Sequence, residues 1–272
     1  MFIRFGYDIT ISCPQETTLV SRMAIRDERR PDLAQDEVIE LSPGARRHEF
    51  VDGFGNRCLR ILAPAGDLRL RGDGLIRDDG FPDPVEPGAG ETPIHQLPDD
   101  VMQFLLPSRY CESDELGNLA WSLFGHLPPG WARVQAICDH VNAGIAFNYQ
   151  NASSFRTAAG ALRDGTGVCR DFAHTAIALC RAMSIPARYV NGYLGDIGVP
   201  YGGPMDFSAW FEAFLGGRWY AFDARHNVPR IGRINIAYGR DAADVAMIHS
   251  FGPHLLKNFT VVCDEETALA AE

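Results

Sequence analysis

The residue most able to do chemistry is Cys169. In GTGVCRDFAHTAIALC, residues 165–180, it follows a glycine-rich break and opens an apolar, helix-like run. In the first turn of a helix, unpaired backbone N–H groups and the helix dipole favour a thiolate, the form in which cysteine attacks acyl carbons. The competing reading is a small hydrophobe. Cys169 lies three residues before Phe172 on the same helical face, which suits simple inward packing.

A second stretch, DFSAWFEAFLGGRWYAFDARHN, bears on that choice. Gly216-Gly217 between alternating runs reads as a two-residue hairpin loop, and this register sets Trp210 opposite Asp223. Ser208 shares the face of Trp210 by alternation, so Ser208 and Asp223 become diagonal neighbours, turned away from the face of Phe207, Ala209 and Phe211. A cysteine at a helix start, facing a strand pair that carries a base and an orienting carboxylate, is the layout of Cys-His-Asp acyl transfer. Here the base position holds serine.

These residues need a scaffold, and the hydrophobic periods supply one. Phe5, Tyr7, Ile9 and Ile11 alternate as in a half-buried strand; HEFVDGFGNRCLRILAP reads as two strands around a Gly-Asn turn, and GDLRLRG repeats the alternation. Residues 78–98, dense in proline, glycine and acids, read as a linker. Beyond it Trp131, Val134, Ile137, Cys138 and Val141 follow helical spacing, with Pro129 near the first turn. The next helix starts near Cys169 and ends before Pro186, after which ARYVNGYL and the hairpin return to strand. The pattern predicts an α+β protein with a β-rich domain over 1–112 and a second domain over 113–272.

At 272 residues and 46% hydrophobic composition the chain can bury a real core. Its net charge of −10 gives no basic footprint for nucleic acid or an anionic membrane surface. No apolar run spans a bilayer, and MFIRFGYDITIS lacks the basic start and apolar region of a signal peptide, so a soluble, cytoplasmic protein is expected. Seven irregularly spaced cysteines fit a reducing compartment better than a disulfide framework. There is no C-x-x-C, H-E-x-x-H, P-loop or G-x-G-x-x-G, and the spacing of Asp241 and Asp244 suits a solvated face; no metal and no cofactor is assigned.

GTGVCRDFAHTAIALCRAMSIPARYVNGYL followed by MDFSAWFEAFLGGRWYAFDARHN closely resembles the transglutaminase-like superfamily, especially bacterial members described as transglutaminase-like cysteine proteases. The resemblance covers residues 131 to about 245, and the β-rich start resembles the N-terminal region of the same proteins. It implies a papain-like core with a Cys-His-Asp triad acting on a peptide or protein substrate, in which Cys169 matches the nucleophile and Asp223 the carboxylate. The family's histidine position is occupied by Ser208, whose hydroxyl cannot shuttle protons near neutral pH. Three readings of Ser208 stay open: a substitution in an otherwise ordinary thiol enzyme, a natural pseudoenzyme that binds peptides or protein partners, or a site in which another histidine serves. His174, five residues after Cys169, points about 140° away on its helix. His226, three residues beyond Asp223, is the better placed; His140 and His249 have no positional argument. Tyr149 or Gln150 could supply a second oxyanion donor beside the Cys169 N–H, and Trp210 could wall the cleft.

Overall fold

A computed structural model describes residues 1–266 of the chain. Strands β1 (Phe2–Cys13), β2 (Thr17–Ser21), β3 (Leu33–Leu41), β4 (Arg46–Val51), β5 (Arg57–Ala63) and β6 (Gly66–Arg77) come first. There follow α1 (Gly117–Phe124), α2 (Trp131–Gly144), β7 (Ala146–Phe147), α3 (Ala158–Asp164), β8 (Thr166–Gly167) and α4 (Cys169–Ala182). The chain then runs through β9 (Ala187–Tyr193), β10 (Ser208–Leu215), β11 (Arg218–Phe222), β12 (Ile234–Gly239), β13 (Ile248–Ser250) and β14 (Leu255–Glu265). This is the expected α+β architecture, with a β-rich N-terminal region and a transglutaminase-type core of helices and antiparallel sheet.

The period-two pattern of β1 is realised as a buried face of Ile3, Phe5, Tyr7, Ile9, Ile11 and Cys13. β4 and β5 pair antiparallel across residues 52–56, where Asp52 Oδ1 accepts the N–H groups of Phe54 and Asn56 and Gly55 takes the positive φ that closes the turn. Residues 78–98 contain one short 3₁₀ turn and are drawn onto the core, where Glu91 bridges Leu215 and accepts a hydrogen bond from Arg133 at 2.7 Å.

The strand orders are β14-β1-β6-β3, β13-β2-β5-β4 and β11-β10-β9-β12. Residues 248–265 therefore do not stay with the second half: β14 pairs with β1 along its length, and β13 pairs with β2. The division expected after residue 112 puts this last segment in the second domain, whereas its strands cover edges of β1 and β2. Helix α4 is the pivot of the core. It packs against β10, α3 and α2, and every residue from Asp171 to Arg181 is buried.

Candidate active site

α3 ends at Gly165, whose left-handed φ of 64° stops the helix, and two residues of parallel pairing with β7 lead directly into α4. Val168 has no side-chain acceptor to offer as N-cap. The turn is closed from the other side: Asp171 Oδ2 accepts the Val168 N–H at 2.8 Å, and Arg156 pairs with the same oxygen at 3.4 Å. Cys169 is thereby fixed as the first residue of α4, as its sequence position predicts.

The thiol of Cys169 is half-buried and opens on a cavity of about 560 Å³ that also takes in Asp206, Ser208, Ala209 and His254. Burial pushes the thiol above its ordinary pKa. The Arg225 guanidinium pulls it down, the Asp206 carboxylate pushes it up, and hydrogen bonds from the backbone N–H groups of Ala209 and Arg170 pull it down again; burial prevails. This thiol is protonated at neutral pH.

The hairpin register is as read from sequence. Gly216 and Gly217 both have positive φ, and pairs run from Leu215 opposite Arg218 to Phe211 opposite Phe222, one step short of Trp210 and Asp223. Ser208 opens β10 opposite Gly192, buried at the cavity wall. Asp223, however, is committed elsewhere. Its Oδ1 accepts the N–H groups of Arg225 and His226 at 3.0 and 3.1 Å, and its Oδ2 meets His226 Nδ1 at 2.9 Å and the Arg233 guanidinium at 3.2 Å. Burial alone would raise this carboxyl, but the His226 hydrogen bond and the Arg233 charge outweigh it, holding Asp223 well below the usual carboxylate range. Asp223 lines a second cavity of about 310 Å³, beside Trp131, Gln135 and Asn227.

Other residues divide. Trp210 is packed with Val190, Leu194 and Tyr238, so it stiffens the back of the sheet and does not wall the cleft of Cys169. The backbone N–H of Gln150 is donated to Asn148 Oδ1 at 2.9 Å. Tyr149 is 53% exposed and lies outside the lining of the Cys169 cavity, and its phenol is raised first by partial burial. His174 is a core residue: it is fully buried, Nε2 accepts the Ala242 N–H at 3.1 Å, and the ring stacks on Tyr110. His140 packs edge-on to Phe124, and His249 lies against Phe251. Sequence reasoning missed Asp206, Arg225 and His254. The first two flank the strand ends at Ser208 and Asp223 by two residues each, a signal open to inspection; His254 arrives on a distant turn and had none.

Residues 119–224 match the family model described as the transglutaminase-like superfamily. The chain is 39% identical over 240 residues to an uncharacterized protein of Mycobacterium leprae (strain TN), covering 83% of each. It is also similar to a crystal structure from Cytophaga hutchinsonii described provisionally as a cysteine protease, with TM-score 0.85 and 34% identity over 97% of this chain and 90% of that one. The chain belongs to the transglutaminase-like superfamily.

Proposed function

We propose that this protein is a thiol acyl-transfer protein of the cysteine-protease kind, acting on amide bonds of peptides or proteins through Cys169. The Sγ adds to the amide carbonyl, the C–N bond breaks as the amine takes up the thiol's proton, and water hydrolyses the thioester to release a carboxylate. The observation that carries this reading is the placement of Cys169, first in a buried helix and open to the large cavity. The backbone N–H of Cys169 at the start of α4 suits an oxyanion formed beside the sulfur.

The reading includes a slow site. Ser208 supplies no group that takes up and releases a proton near neutral pH, and Asp223 holds His226 and Arg233 instead of orienting a base toward Cys169. Loss of such a base lowers turnover by several orders of magnitude, with positioning and oxyanion stabilisation left in place. The same Ser208 and the neutral thiol favour a second reading, a module that binds peptides in the cleft without turning them over. Seven unpaired cysteines support a reducing compartment such as the cytoplasm for either.

The test is hydrolysis of a peptide amide library by the chain, by Ser208→His and by Cys169→Ala. Turnover that rises in Ser208→His and vanishes in Cys169→Ala supports the acyl-transfer reading. Equal inactivity of all three, with peptide still bound, establishes the binding module.

A further inference from the structure

The cavity at Cys169 has two chemically different ends. Around the sulfur stand Asp206, Ser208 and the N–H of Ala209. The opposite wall comes from the β-rich region, where β1 and β14 place Ile9 opposite Phe259 and Ile11 opposite Leu256. Cross-strand partners share a face of the sheet, so these four side chains form one apolar patch. Phe207, the neighbour of Ser208, reaches across to it, with its ring centroid 6.0 Å from that of Phe259.

The patch is apolar surface left open. Ile9 and Ile11 are nearly fully buried, yet Leu256 is 54% and Phe259 36% exposed at the cavity, and Met247 adds a further apolar side. Exposed large apolar groups on a concave wall gain from covering, at about 25 cal/mol per Å² removed from water. A cavity of about 560 Å³ is far larger than a single water site and is of the size that takes a small organic ligand. Among the described residues its lining carries the charged side chains of Arg170 and Asp206 and the exposed imidazole of His254.

We infer that the site selects peptides carrying a large apolar side chain, aromatic or branched aliphatic, next to the amide presented to Cys169, and that β14 is the specificity element. The inference rests on the reading that the Cys169 cavity is where the amide binds. In this arrangement the C-terminal strand is part of the substrate site: its return to β1 delivers Leu256 and Phe259 to the cavity.

The experiment is protection of Cys169 from iodoacetamide in the unsubstituted chain, read by mass mapping of the labelled cysteine, with capped dipeptides of phenylalanine, leucine, glycine and aspartate as competitors. Phenylalanine and leucine peptides are expected to half-protect at concentrations at least about tenfold below glycine or aspartate peptides, the scale of discrimination an apolar pocket gives. Phe259→Ala and the surface change Leu256→Lys should each reduce that ratio toward one. Equal protection by all four peptides overturns the inference, as does a ratio unmoved in both variants. Protection needs no turnover, so a failure of Ser208→His to gain hydrolysis counts against the acyl-transfer reading and leaves this result to be judged separately.

Discussion

The imidazole of His226 folds back on Asp223, Nδ1 to Oδ2 at 2.9 Å, and the pair sits beside a cavity separate from the one that holds the Cys169 sulfur. A carboxylate and a histidine are thus assembled in the turn after β11. Ser208 lines the Cys169 cavity from the first position of β10. Neither member of the pair lines the cavity of Cys169, whose wall carries Ser208.

This arrangement makes Asp223 a stabilising group with a defined pH window. Its folded pKa is depressed, so its contribution is complete above the unfolded value near pH 4 and is lost as pH falls toward the lower folded value. Asp223→Asn leaves Arg233 short of a buried partner, although Asp83 still pairs with it at 2.8 Å. The variant is expected to lose about 3 kcal/mol at pH 7 and less at pH 3, measured by urea unfolding at both.

Glu37 gives the opposite slope. Burial raises its carboxyl to about 7, against the N–H of Ile25 and the Arg57 guanidinium, which lower it. A folded value above the unfolded one means that the native state binds more protons between about pH 4.5 and 7, so this group's contribution declines as pH rises through that range. Unfolding free energy should therefore lose on the order of 3 kcal/mol from this source between pH 4.5 and 7.5. In Glu37→Gln that component of the pH profile should be missing.

Gly192 faces Ser208 across the β9–β10 ladder, and a Cβ there would meet the Ile234 carbonyl and the Trp210 ring. Neither can retreat, since one is backbone and the other is fully packed. Gly192→Ala is expected to cost about 1–3 kcal/mol and to shift the Ala209 N–H away from Cys169, lowering the melting temperature and slowing Cys169 alkylation together. An alkylation rate unchanged in a destabilised Gly192→Ala would show that the sulfur does not depend on that donor.

Local signals carried much of this. Alternation in β1, helical spacing in α2 and α4 and the paired glycines at 216 and 217 each depend on neighbours a few residues away, and each element formed where its pattern lies. Helices α1 and α3, of 8 and 7 residues, are too short for a helical period to stand out from the sequence. The pairing of β14 with β1 was not legible either, because it joins residues more than 240 apart and nothing local to either strand names its partner. With it went Leu256, Phe259 and His254 as parts of the cavity. The hairpin register is legible from Gly216-Gly217 as far as Phe211 opposite Phe222; the bonds of Asp223 come from Arg233 and the turn after β11, which strand alternation does not describe.

The pH dependence of Cys169 alkylation tests most directly the proposal that this thiol is an acyl-transfer nucleophile lacking its base. In the chain as it stands, iodoacetamide should react slowly at pH 7 and accelerate only in the alkaline range, because burial holds the thiol above its ordinary pKa. Ser208→His should acquire a fast reaction below pH 7 that is absent from Cys169→Ala. If Ser208→His instead follows the profile of the unsubstituted chain, an imidazole at that position does not reach the sulfur, and the account of the site as an intact scaffold missing one residue is wrong.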